Sequence, residues 1–221
     1  MPSNTAPFDA KLRISEIFYS LQGESTRVGL PTVFVRLTGC PLRCSWCDTA
    51  HAFTGGEAST VGKVLELVAA FQCPTVCVTG GEPLAQKNCL PLLSTLCDAG
   101  YSVSLETSGS LAIADVDPRV SRIVDLKAPD SGESDKNLWS NLDHLTARDE
   151  LKLVLASEAD YQWAMKVLQE HQPERRCTVL FSPVQGILAP AALAAWILRD
   201  RLPVRFQLQL HKILWGNEQG K

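Results

Sequence analysis

No apolar run in the chain approaches the roughly 20 residues needed to cross a bilayer. The first stretch, residues 1–11, is polar and holds no apolar signal core. Charge of one sign is not in marked excess: 21 Lys and Arg stand against 24 Asp and Glu, a net charge of −3. That is not the broad basic surface that a nucleic-acid backbone would call for. Internal repeats, low-complexity segments and linkers are also missing. These absences predict a cytoplasmic protein with neither a membrane nor a nucleic acid as its main partner.

What remains suits one domain with a real hydrophobic core. The chain has 221 residues, 45% of them hydrophobic. The expectation is a single domain over residues 1–221, with residues 1–12 a flexible extension. Eight cysteines in such a compartment are ligands or buried thiols rather than disulfides. Cys73, Cys77 and Cys177 lie in or beside strand-like runs, and Cys89 and Cys97 on a helix-like stretch. All five read as small buried hydrophobes.

Short β-branched runs alternate with amphipathic stretches. Strands are expected at 13–18, 32–38, 75–79, 102–107, 122–126, 151–155, 178–181 and 204–210. Val61, Val64, Leu65 and Val68 follow helical spacing, with Ser59 or Thr60 as cap. Tyr161, Ala164, Met165 and Leu168 do the same, and 90–99 and 191–199 also look helical. The residues 129–141 read as an extended loop. This βαβα order predicts an α/β fold with a parallel sheet inside and helices outside. About six repeats fit an open, partial barrel better than a closed eight-unit one, which takes about 250 residues.

Period-two alternation puts Arg36, Glu106, Asp125, Lys127 and Lys152 on the face away from the helices. An interior holding these charges suits a charged, polar ligand. Ion pairing among themselves is the duller alternative.

Three cysteines cluster as Cys40-x3-Cys44-x2-Cys47, on a loop that follows the 32–38 strand. Barrel active sites lie at that strand end. Three thiolates can wrap a [4Fe–4S] cluster and leave one iron without a protein ligand. A purely electron-carrying cluster would normally have a fourth Cys nearby. A Cys3His zinc site with His51 is the alternative.

The triad, with Trp46 before its last cysteine, resembles the signature of the radical S-adenosylmethionine (SAM) superfamily. Gly80-Gly81-Glu82-Pro83 resembles that superfamily's segment for the SAM amino group, where Glu82 would supply the negative charge. Further segments narrow the resemblance: 16–24 (EIFYSLQGE), 34–37 (FVRL), 47–49 (CDT), 79–84 (TGGEPL), 106–109 (ETSG), 125–127 (DLK) and 209–212 (QLHK). Together they are similar to the 7-carboxy-7-deazaguanine synthase family, in order, from about residue 13 to 216.

The resemblance implies a (β/α)6-like partial barrel and a homodimer. It implies a [4Fe–4S] cluster, SAM and Mg²⁺ as cofactors, and a flavodoxin- or ferredoxin-type reductant. It implies radical ring contraction of 6-carboxy-5,6,7,8-tetrahydropterin to 7-carboxy-7-deazaguanine with loss of ammonia, a lyase step of queuosine and 7-deazapurine biosynthesis. It also implies site roles. Cys40, Cys44 and Cys47 would hold the cluster, and Thr49 the Mg²⁺. Leu21, Gln22, Gly23 and Thr79 would contact the pterin, and Arg36 its carboxylate. Trp46, Asp48, Gly81, Glu82, Ser108, Asp125 and Lys127 would surround SAM, with Ser182 and Pro183 beside its adenosine. Glu106 and His211 would handle protons or anchor the pterin and metal. His51, His144 and His171 are left as surface or loop residues. A glycyl-radical-enzyme activase is the alternative within the superfamily.

Overall fold

In the computed structural model of the chain, residues 7–216 and 218–221 are described. The expected extension, 1–12, lies partly outside them. Of its described part, Pro7–Asp9 forms a 3-10 turn, and Lys11 already begins the first strand.

Nine strands of the described residues form one open sheet. They are β1 (Lys11–Leu21), β2 (Pro31–Leu37), β3 (Glu57–Thr60), β4 (Thr75–Gly80), β5 (Ser102–Thr107), β6 (Ser121–Asp125), β7 (Glu150–Leu155), β8 (Thr178–Pro183) and β9 (Arg205–Phe206). Their spatial order is β3-β1-β2-β4-β5-β6-β7-β8-β9. From β2 to β9 every pairing is parallel, as expected for βα units. The N-terminal edge departs from the all-parallel expectation: β1 runs antiparallel to both β2 and β3.

The helices are α1 (Val61–Ala70), α2 (Cys89–Asp98), α3 (Glu158–His171), α4 (Pro190–Asp200) and α5 (Leu210–Trp215). Thr60 caps α1, accepting from Lys63 N at 3.2 Å. The repeats are less regular than expected. Between β5 and β6, and between β6 and β7, no α-helix crosses. Buried Ile113, Val116 and Val120 cover the sheet in the first gap. In the second, the expected extended loop is wound into 3-10 turns at Pro129–Ser131, Ser134–Lys136 and Trp139–His144. Apolar cover, not helix, is what the sheet face requires there.

Two further departures have visible causes. Strand β3 reads Glu-Ala-Ser-Thr, a polar edge with no alternation to reveal it. The 204–210 run pairs only at Arg205 and Phe206. The Gln207 amide then bonds Ser25 at both ends, at 2.8 and 2.7 Å, and Leu210 N reaches Gly23 O at 2.9 Å. The chain thereby leaves the sheet and turns into α5.

The core lies between sheet and helices. Val33, Val35, Leu37, Val76, Val78, Leu105, Leu151, Leu153 and Phe181 are fully inaccessible there and meet Val64, Leu92, Leu96, Tyr161 and Leu193. The opposite sheet face is the polar one. Cys73, Cys77, Cys89 and Cys177 are buried, as expected, while Cys97 is only half-buried.

Candidate active site

The polar face opens into one cavity of about 960 Å³ at the C-terminal ends of the parallel strands. Strand register assembles its floor: Arg36 is level with Thr79, Glu106 with Ile123, and Asp125 with Lys152. The five charges expected on this face all line the cavity. Asp125, Lys127 and Lys152 also pair among themselves, while Arg36 pairs with Glu16 and Glu106 is held by neutral donors, so the duller reading holds only for three of the five. Glu24 meets Lys152 at 2.6 Å, Lys152 meets Asp125 at 3.2 Å, and Asp125 meets Lys127 at 3.2 Å. Burial works against the Lys152 ammonium, but Glu24 and Asp125 lift its pKa well above the ordinary lysine value. Burial opposes the Glu24 carboxylate too, and Lys152 together with the Gln209 hydrogen bond and nearby His211 more than offsets it, leaving that pKa lowered.

Part of the cavity wall is a hydrogen-bonded set. Gln22 Nε2 donates to Glu106 Oε1 at 3.1 Å, and Thr79 Oγ1 donates to Glu106 Oε2 at 2.9 Å. Leu21, Gly23, Arg36 and His211 line the same space. A Cβ on Gly23 would overlap the His211 ring at Nδ1, so glycine there is what admits the imidazole. Arg36 Nε donates to Glu16 Oε1 at 2.6 Å.

Cys40, Cys44, Trp46, Cys47, Asp48 and Thr49 form another part of the wall. Gly80 has φ +154°, and a Cβ on Gly81 would overlap Gly39 O and Cys40 Cβ. Gly80-Gly81 therefore lets the end of β4 press against the cysteine loop; Glu82 N donates to Gly39 O at 2.7 Å. Asp48 Oδ2 pairs with Lys212 at 2.8 Å. Thr49 Oγ1 donates to Asp48 Oδ1 at 2.9 Å, which leaves its oxygen lone pairs for another partner.

Four residues are placed differently from expectation. Glu82 is fully buried and does not line the cavity. Its carboxylate accepts from Leu84 N at 2.9 Å, Thr107 Oγ1 at 2.9 Å and Ser108 N at 2.6 Å. Ser182 and Pro183 are buried inside β8; Val184, Gln185, Gly186 and Ile187, just beyond, reach the cavity instead. His51, read as a surface residue, lines the cavity 3.4 Å from Glu16. His171 does lie outside it, stacked on Trp139 at 4.9 Å.

Sequence reasoning gave no individual role to Glu16, Glu24, Lys152 or Lys212, all in the wall. Glu16, Glu24 and Lys212 stood in family-like segments and Lys152 on the polar strand face, so each had a signal. Residues 218–221 also line the cavity, and no pattern announced that.

Do these residues fit the implied cluster and SAM? All three thiols are free and share one wall. Among the described residues, no three His, Cys, Asp or Glu side chains are grouped closely enough for a single metal ion. Three thiols suit a cluster that keeps one iron open, whereas structural zinc calls for four ligands. Asp125 Oδ1 is buried with no partner among the described residues, an acceptor aimed at something else. The fit is good.

Residues 34–127 match the profile of the Radical SAM superfamily. The 7-carboxy-7-deazaguanine synthase of Chlorobaculum tepidum is 50% identical over 211 residues, covering 94% of this chain and 96% of that protein. That of Koribacter versatilis is 40% identical over 222 residues, covering 94% and 98%. The crystal structure of QueE from Escherichia coli superposes with a TM-score of 0.75 at 25% identity, covering 91% and 95%. Streptococcus suis SuiB, at 13% identity and a TM-score of 0.52, shares the fold over 76% of this chain and 48% of its own. The chain belongs to the 7-carboxy-7-deazaguanine synthase family, within the radical SAM superfamily.

Proposed function

We propose that the chain converts 6-carboxy-5,6,7,8-tetrahydropterin to 7-carboxy-7-deazaguanine and ammonia. The observation that carries this is a single cavity lined by two unlike sets of side chains. One is three free thiols, and the other is Arg36 with the Gln22–Glu106–Thr79 set.

Cys40, Cys44 and Cys47 hold the [4Fe–4S] cluster. With SAM bound, the cluster supplies the organic radical chemistry that starts the ring contraction. Everything else falls to the chain's own groups. Arg36 takes the substrate carboxylate through its terminal nitrogens. Glu106 already accepts from Gln22 and Thr79, so its orientation is set before the pterin arrives. Its remaining lone pairs accept pterin N–H groups. Leu21 and Gly23 complete that wall. His211 handles the proton that must reach the departing nitrogen, at Nε2, the ring nitrogen remote from Gly23.

Trp46, Asp48, Gly81, Ser108 and Lys127 surround SAM, and Asp125 Oδ1 accepts from one of its hydroxyls. Glu82 acts from behind, fixing Ser108 N at 2.6 Å. The 184–187 turn takes the place first given to Ser182 and Pro183. Thr49 Oγ1 offers an oxygen to Mg²⁺, which takes few protein ligands. The protein works as a homodimer in the cytoplasm and receives electrons from a flavodoxin or ferredoxin. No helix of the described residues is long and apolar enough to cross a membrane.

The test is turnover by reduced, cluster-loaded protein with SAM, Mg²⁺ and carboxytetrahydropterin, read by product mass. Formation of the deazaguanine supports the assignment. SAM cleavage without product would leave the superfamily standing and remove the reaction.

A further inference from the structure

We propose that Glu16 is a positioning residue that sets the cavity's preference for a carboxylated substrate, by holding Arg36 with its fork end open. The inference rests on the reading of Arg36 as the carboxylate site.

It starts from a local irregularity of the sheet. Ile14 pairs with Leu37, yet Glu16 pairs with Arg36, so the β1–β2 register slips between Ile14 and Glu16. Ser15 is the extra residue of a β-bulge. In an unbroken strand Ser15 would oppose Arg36, and Glu16 would face the helices. The bulge turns Glu16 onto the cavity face, where Phe18 follows it. The core residues of β1 record the slip: Ile14 and Ile17 both pack into the apolar layer, three positions apart rather than two.

Glu16 Oε1 then accepts from Arg36 Nε at 2.6 Å. Among the described residues, the two terminal nitrogens of Arg36 have no partner. The guanidinium Cζ also sits 5.7 Å from the Phe18 ring centre, and the side chain is 17% exposed. A guanidinium offers five N–H donors in a rigid fork. Bonded through Nε and backed by a ring, it presents its remaining edge in a fixed plane. That edge suits two-point binding of a carboxylate.

Glu16 also places a negative charge near the arriving one. The incoming carboxylate meets Arg36 at hydrogen-bond range and Glu16 only across the width of the guanidinium. Coulomb energy falls with distance, so attraction wins. Without Glu16 the long arginine arm would have to be ordered by the substrate itself, at an entropic cost.

The experiment uses cluster-loaded protein with SAM. It measures affinity for carboxytetrahydropterin and for tetrahydropterin, which lacks the carboxylate, together with the rate of SAM cleavage. Glu16→Ala should weaken carboxytetrahydropterin by about tenfold, the scale of one charge-assisted hydrogen bond. It should leave tetrahydropterin affinity and SAM cleavage unchanged. Glu16→Gln, whose amide oxygen still accepts from Nε, should restore most of the loss. In an Arg36→Ala background, Glu16→Ala should add nothing. If Glu16→Ala does not fold, Glu16→Asp reads the same contrast with a shorter arm. Unchanged or tighter binding of carboxytetrahydropterin in the Glu16 variants, while Arg36→Ala weakens it, overturns the positioning role. Unchanged binding in Arg36→Ala itself overturns the carboxylate reading beneath it.

Discussion

Two buried charge networks among the described residues are built on opposite terms. The first joins Arg122 of β6 to Asp149, just before β7. Arg122 donates from N at 2.9 Å and Nε at 3.0 Å to Oδ1, and from Nη2 at 2.6 Å to Oδ2. The remaining donors of Arg122 reach Ile113 O and His144 O, and Thr146 donates twice to Asp149. The pair is 9% and 1% exposed and lies away from the cavity. The second network, Glu24–Lys152–Asp125–Lys127, lines the cavity throughout. It carries the unpartnered Asp125 Oδ1. A network closed on itself ties elements together. One left open on one side waits for a ligand. Buried charge alone does not tell them apart; the completeness of the hydrogen bonding does.

Breaking the closed network should have the largest effect on stability. Asp149→Ala strands a buried guanidinium and several donors, and should cost about 3–5 kcal/mol in denaturant unfolding. SAM affinity of the folded fraction should not change. A variant of wild-type stability would mean the two networks are not different in kind.

Asp125→Asn probes the open network. It removes one charged acceptor, worth about 1.5–3 kcal/mol when bonded, so SAM affinity should fall at least about tenfold. Its loss of stability should be smaller than that of Asp149→Ala. Equilibrium binding and unfolding on the same preparation decide it; a stability loss without a binding loss would make Asp125 architectural.

The pH dependence sharpens the contrast further. Burial pushes the Asp149 carboxyl up, but the hydrogen bonds from Arg122 and Thr146 together outweigh it and hold the pKa below the usual range. A depressed carboxyl contributes stability above its unfolded value, about 3.9, and loses it as pH falls through the folded value. Unfolding curves from pH 6 downward should therefore drop more steeply for the wild type than for Asp149→Asn. Parallel curves would show that the pair carries no acid-sensitive stability.

The smallest effect belongs to an exposed pair. Lys63 and Glu66 meet at 3.0 Å on α1, with side chains 59% and 71% exposed. Glu66→Ala should shift the unfolding midpoint by no more than about 0.5 kcal/mol equivalent. A larger shift would make that surface contact part of the fold's support.

Much of this was legible in the chain. Val33, Val35 and Leu37 opposed Arg36 by simple alternation, and Val124 and Leu126 opposed Asp125 and Lys127. The strands that carry them, and the face they choose, followed from period two. The helices at α1 to α4 followed from period 3.6. The triad, Arg36 and Glu106 were readable because strand, loop and spacing are local. What escaped depended on distant partners. The bulge at Ser15 shows only against β2. Glu82 turns inward because Thr107 and Ser108 lie across from it on β5 and the turn after it. The strand expected at 204–210 ends early because Gln207 finds Ser25. His51 joins the cavity because Glu16 stands beside it.

The sequence by itself determined which residues could do chemistry and on which face of each strand they would stand, since spacing and periodicity are properties of the local chain. Only the tertiary structure decided which of them are already occupied: Glu82 by Ser108, Arg122 by Asp149, and Arg36 by Glu16 at Nε alone. A hydrogen bond is a relation between two elements, and its saturation is settled only when both are in place.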